Sequence, residues 1–272
     1  MKKTLYLVGL LLAAASVSHA GVEIIPTHGR NIYRLAVAEL DGQPAAKEIV
    51  GSTYDDRVCA FAVDGKHLWD APTGGFVFDL ATSDLDGDGR DEVVAAGADG
   101  WVYVFASDGK LRWKQDLGAP VYQVCLAKLD RKTPVVLAGG VSRQVVAFAA
   151  DGGKLNSVEV NGAVRVMRAG DFDGDGADEV AVLPIRGQAQ DVSLFKGPKL
   201  TKLSDAISSG VIPWDPVTRR SKDTGENFRK GKKTWSGKSL KRANGTVADL
   251  NDDGATDLIY SPGAHTLKGG LH

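Results

Sequence analysis

Asp84-Leu85-Asp86-Gly87-Asp88-Gly89-Arg90-Asp91-Glu92 runs directly into Val93-Val94-Ala95-Ala96-Gly97. Carboxylates at positions 1, 3 and 5 of this loop, those of Asp84, Asp86 and Asp88, converge on one point. Gly89 at position 6 permits a sharp turn that a β-carbon obstructs. Arg90 at position 7 offers its backbone carbonyl, and Glu92 at position 9 returns a fourth carboxylate. All these donors are hard oxygens, the set that suits calcium. Without a cation, four carboxylates this close repel one another and raise their pKa values.

The pattern recurs twice. Asp171, Asp173, Asp175, Ala177 and Glu179 repeat positions 1, 3, 5, 7 and 9, with Gly176 at the turn. Asp249, Asn251, Asp253, Ala255 and Asp257 do so again, around Gly254. An EF-hand is excluded, because position 12 is Ala95, Val182 or Tyr260 where a bidentate Glu is needed, and each loop enters an apolar β-rich segment.

Working outward, each unit has an apolar strand into the loop, a Val-rich strand out of it, and a further strand reaching an Asp-Gly turn. The turns at Asp64, Asp108 and Asp151 recur every 43 or 44 residues, and the first two are followed by Lys-x-x-Trp, ending at Trp69 and Trp113. Degenerate acidic loops lie at Glu39-Leu40-Asp41-Gly42 and at Lys128-Leu129-Asp130-Arg131-Lys132. Gln43 at position 5 weakens the first as a metal site, and Lys128 and Lys132 remove the second. This period, with about four short strands per unit, predicts an all-β fold, a β-propeller of about 44-residue blades, five if the ring closes. The blades fall at roughly 30–70, 76–114, 120–156, 162–200 and 243–272. Residues 200–242 read as a basic insertion or one divergent blade, and Leu200 to Ser209 is the best candidate for a helical turn. The Trp and Phe positions read as packing between blades.

Lys2 and Lys3, the apolar run Leu5 to Val17, and Ser18-His19-Ala20 have the form of a signal peptide at 1–20, cleaved after Ala20. The propeller then occupies 21–272, secreted or periplasmic, with no membrane span after cleavage. Formal net charge of -1 gives no bias toward nucleic acid or anionic membrane. Cys59 and Cys125 sit in apolar strands of different repeats, which favours two buried free thiols over a disulfide, although export permits one. From Arg219 to Arg242 there are ten Lys or Arg against Asp223 and Glu226. That run reads either as a solvated loop or as a contact for an acidic polymer. No nucleophile elbow, zinc spacing or phosphate-binding glycine loop appears.

The loops at Asp84 to Glu92, Asp171 to Glu179 and Asp249 to Asp257 resemble those of the FG-GAP/VCBS repeat family, integrin-α-like propellers. The turn strand Tyr103 to Trp113 also resembles quinoprotein-like propeller repeats. The first resemblance implies calcium held within blades and a non-catalytic role in binding, adhesion or scaffolding. The candidate partners are an acidic polysaccharide, suggested by the basic run, and a cell-surface or extracellular protein. The alternative is an enzyme acting on acidic polysaccharide, since calcium-loaded propellers resembling this one occur in rhamnogalacturonan lyases.

Overall fold

The computed structural model describes residues 29–43, 47–185, 192–207, 244–249 and 254–261. The strands form four successive antiparallel sheets, each in simple chain order. The first holds β1 (Ile32–Ala38), β2 (Glu48–Thr53), β3 (Arg57–Phe61) and β4 (His67–Pro72). The second holds β5 (Val77–Ser83), β6 (Glu92–Gly97), β7 (Trp101–Phe105) and β8 (Leu111–Asp116). The third holds β9 (Val121–Ala127), β10 (Val135–Gly140), β11 (Gln144–Phe148) and β12 (Lys154–Glu159), and the fourth β13 (Ala163–Gly170), β14 (Glu179–Ile185), β15 (Val192–Lys196) and β16 (Thr201–Ile207). A further pair, β17 (Asn244–Ala248) and β18 (Asp257–Ser261), follows the same order. First strands of successive sheets are neighbours, from β1 through β5, β9 and β13 to β17. This is β-propeller architecture, as the repeat period predicts.

Burial follows strand position. The second strands are covered on both faces, and all six residues of β6 are buried. Runs such as Val93-Val94-Ala95-Ala96 suit that setting, because both faces must be apolar and the sheets lie close. In the outer strand β8 exposed and half-buried residues alternate from Arg112 to Asp116. The cores lie between blades. Val50, Val58 and Ala60 meet Val93, Tyr103 and Phe105. Val94, Val102 and Val104 meet Val124, Val136 and Phe148, and Leu137 and Val145 meet Met167, Val180 and Phe195.

The Asp-Gly turns and the Trp residues form one device. The Trp69 indole N–H donates to the Ser107 carbonyl at 2.9 Å, and its ring lies against Gly109 of the next blade's turn. Trp113 repeats this with Ala150 at 2.8 Å and Gly152. Asn156 pairs with Ala147 as Trp69 pairs with Ala60 and Trp113 with Val104, and its amide donates to Lys199 of the fourth blade. Cys59 and Cys125 are free and buried.

The fourth sheet departs from the sequence reading. It continues past residue 200 into β16, so Thr201 to Ile207 is a strand paired with β15 and not a helical turn. A turn from Gly197 to Leu200, with Gly197 at φ +67 and Leu200 at φ +49, reverses the chain and offers the exposed edge of β15 a partner. Local helix propensity loses to that ladder. The basic run 219–242 and the proposed signal peptide lie outside the described residues.

Candidate functional site

Each acidic loop joins the first strand of a blade to the second. Position 1 follows the last residue of the first strand, and position 9 opens the second strand. Ser83 pairs with Glu92, Gly170 with Glu179, and Ala248 with Asp257, so the three copies share one register.

The buried Glu at position 9 divides its oxygens. Glu92 Oε2 accepts the Leu85 backbone N–H at 2.9 Å, and Glu179 Oε2 accepts that of Phe172 at 2.9 Å. Position 1 organises the turn. Asp84 Oδ2 accepts from Gly89 at 3.0 Å, Asp171 Oδ2 from Gly176 at 2.7 Å, and Asp249 Oδ2 from Gly254 at 2.9 Å. Those glycines have φ of +85, +88 and +85, a conformation where a side chain is strained.

Asp84, Asp86 and Glu92 bring carboxylate oxygens within 4.8 Å of one another, and Asp171, Asp173 and Glu179 do the same. Position 5 stands at the rim. Asp88 is paired with Arg90 at 2.7 Å, and that hydrogen bond draws its carboxyl below the usual range. Asp175 is paired with Lys196 at 2.7 Å and Arg131 at 3.2 Å, and the Lys196 bond takes its carboxyl down to about 2. The position-7 residues Arg90 and Ala177 donate their N–H groups to Asp88 and Asp175, at 2.8 and 2.9 Å. Asn251 and Asp253 of the last loop lie outside the described residues; Asp249, Ala255 and Asp257 flank them.

Both full clusters hold a side-chain cation. The Arg112 guanidinium lies 2.7 Å from Asp86 and 2.7 Å from Glu92. The Lys196 ammonium contacts Asp173, and lies 2.7 Å from Asp175 and 3.1 Å from Glu179. These cations come from unrelated positions. Arg112 is the bulged residue of β8, whereas Lys196 ends β15 opposite Glu179.

A third cluster joins Glu39, Asp41 and Glu48 in the first blade. Sequence reasoning missed Glu48. It pairs with Ala38 as Glu92 pairs with Ser83, and its Oε2 accepts the Leu40 N–H at 2.7 Å. One extra residue in this loop moves the acid out of the nine-position frame, although its place at the head of a Val-containing strand was a usable signal. In the third blade Val135 takes that place, opposite Ala127.

Position 8 was also missed. Asp91 accepts the Glu39 N–H at 2.8 Å and returns its own N–H to the Glu39 carbonyl at 2.6 Å. Asp178 does the same with Lys128, at 2.6 and 3.1 Å. These aspartates clamp the loop of one blade to the loop of the blade before it, which gives Lys128 a structural role through its backbone.

At the inner strands, Asp79 is buried beside Arg34, with Nε 3.9 Å from the carboxylate. Burial pushes its carboxyl above the usual range, against the pull of Arg168 and Arg34.

A family model described as the Lambda-carrageenase beta-propeller domain matches residues 48–164. A search of curated proteins gives no match. Among solved structures, BBS1N in complex with ARL6DN, soaked with mercury, is similar with a TM-score of 0.52 at 19% identity, covering 68% of this chain and 58% of that one. The same complex soaked with lead gives 0.50 at 20% identity, covering 65% and 55%. The Bacillus licheniformis rhamnogalacturonan lyase PL11 gives 0.47 at 18% identity, covering 63% and 41%. At such identity the likeness to BBS1N is one of fold, and this chain spans less than two thirds of that chain's length. The matched family differs from the one the acidic loops resemble; what the two have in common is the β-propeller, the architecture of the four sheets described above.

Proposed function

We propose that this chain is an exported, calcium-stabilised β-propeller that binds an acidic polysaccharide without cleaving it. The observation that carries this reading is the match of 48–164 to a propeller domain named for a lambda-carrageenase. Calcium is supported by the donor chemistry. Asp84, Asp86 and Glu92, and Asp171, Asp173 and Glu179, form register-equivalent oxygen nests, with Asp88 and Asp175 at their rims. Both nests favour positive charge enough to draw in Arg112 or Lys196. The carbonyls of Arg90, Ala177 and Ala255 would complete the set, in keeping with the FG-GAP/VCBS resemblance. Bound calcium would tie the strand entering each loop to the strand leaving it. The cationic run at 219–242 supports an anionic partner.

A second reading, an enzyme acting on the same polymer class, is favoured by Asp79, a buried carboxyl raised in pKa beside two arginines at the inner strands. One experiment separates the two. The mature protein is incubated with lambda-carrageenan, polygalacturonate, rhamnogalacturonan and a neutral glucan, and bound protein and chain shortening are both recorded. Retention on an anionic polymer without shortening is expected. Shortening that is lost in Asp79→Asn makes the chain an enzyme, and retention on none of the polymers overturns the polysaccharide reading in favour of a protein partner.

A further inference from the structure

The first strand of every complete blade carries a bulge near its N-terminal end. The ladder skips Tyr33 in β1, Phe78 in β5, Tyr122 in β9 and Arg165 in β13. A bulge sets two residues against one and turns a side chain out of the usual alternation. Here it turns four equivalent side chains toward one another across neighbouring blades.

The result is a continuous arc. Tyr33 lies 5.7 Å from Tyr54 and 4.7 Å from Phe76 between ring centroids. Phe76 lies 5.2 Å from Phe78, and Phe78 lies 5.0 Å from Tyr122. The Arg165 guanidinium caps the arc, 4.0 Å from the Tyr122 centroid.

Packing alone does not account for this row. Tyr33 and Tyr54 are 42% and 60% exposed. The fourth blade places Arg165 at the same bulge, so the position does not demand an apolar ring. Among the described residues Arg165 has no carboxylate partner, and the Tyr33, Tyr54 and Tyr122 hydroxyls have no hydrogen-bond partner. A row of rings with unspent hydroxyls, ending in a cation that has a ring but no carboxylate beside it, is suited to a polymer that is both flat-faced and anionic. The acidic loops follow the other end of the same strands, so the arc lies clear of them by about 16 Å, five residues at the strand rise.

We infer that the arc Tyr54–Tyr33–Phe76–Phe78–Tyr122–Arg165 is the surface on which an anionic polysaccharide lies. Its sugar rings stack on the aromatic rings, and Arg165 pairs with a carboxylate or sulfate group. This assignment rests on the polysaccharide reading above. A single-stranded nucleic acid also combines flat rings with negative charge, so it enters the test as a competitor.

The test is affinity electrophoresis of the mature protein in gels containing lambda-carrageenan or polygalacturonate, with oligo-dT added in parallel runs. Tyr54→Ala, Tyr122→Ala and Arg165→Gln are compared with the unaltered chain, each checked for an unchanged thermal midpoint. Removing one stacking ring should weaken retardation roughly tenfold. Arg165→Gln should also flatten its dependence on salt. Tyr54 and Arg165 lie outside the interblade cores, so those two variants report even if Tyr122→Ala unfolds. Retardation of the unaltered chain with both folded variants unchanged overturns the arc and leaves the polysaccharide reading intact. No retardation by either polymer, or retardation abolished by oligo-dT at equal charge, overturns the reading and the arc together.

Discussion

Glu92 and Glu179 each give one carboxylate oxygen to a backbone N–H and present the other to a cation. Glu179→Ala removes both functions. It leaves the Phe172 N–H without its acceptor and the Lys196 ammonium without its most buried counter-charge. Urea unfolding should register a loss of about 2–3 kcal/mol. Glu179→Gln keeps an acceptor for Phe172 and should cost less, while still removing this loop's part of the calcium response. The two thiols make a second prediction at this scale. Burial pushes Cys59 up to about 11 and Cys125 up to about 12. An unfolded thiol ionises near about 8.5, so the folded state holds these protons longer. The stabilisation is full below about pH 8.5 and is lost as pH rises through about 11 and then about 12. Native protein at pH 8 should therefore react with a thiol reagent far more slowly than urea-unfolded protein. Cys59→Ser should remove part of the alkaline fall in urea midpoint.

Between elements, the strongest recurring link is the Trp side chain seated on the next blade's turn. A β-carbon at Gly109 would lie 2.6 Å from the Trp69 ring, and its φ is +82. Gly109→Ala should cost about 2 kcal/mol or more in urea unfolding, through backbone strain and displacement of the indole. The tethered cations predict the opposite direction for metal. Lys196 occupies the space between Asp173, Asp175 and Glu179 that an incoming ion needs. Lys196→Met should raise calcium affinity at that loop, by roughly tenfold in isothermal titration, while lowering stability in chelator. The loops and turns were legible in the sequence because their residues are contiguous and their spacing encodes geometry. So were the Trp positions and the buried cysteines. Arg112, Lys196 and Arg165 were not, because strand pairing brings them to their partners from other strands. Glu48 was hidden by a one-residue lengthening of its loop, and the aromatic arc depends on bulges that only a register reveals. β16 was misread because Leu200 to Ser209 has little strand pattern until β15 supplies its partner.

Across the whole molecule, the inner strands of the first two blades run from a ring of the aromatic arc, Tyr33 or Phe78, to an acidic loop, so one end of these blades is oxygen-rich and the other presents rings. On the proposed reading, calcium and polysaccharide would take opposite ends of the same sheets. The clamps from Asp91 to Glu39 and from Asp178 to Lys128 join neighbouring blades at the loop end. Tightening one loop therefore stiffens an interface as well as a turn. If the proposed calcium binds with a Kd of about 0.1 mM at about 1 mM free ion, linkage would contribute roughly 1.4 kcal/mol per site. For a chain of this size that moves the thermal midpoint by about 3–6 °C per site. Chelator should therefore lower the midpoint, and Asp86→Asn with Asp173→Asn should remove the response of two sites. Well below the lowered midpoint, retention on an anionic polysaccharide should persist in chelator, because no calcium donor reaches the arc. Retention that vanished with calcium while the chain stayed folded would instead place the ion between protein and polymer, and the two ends of the blades would not be independent.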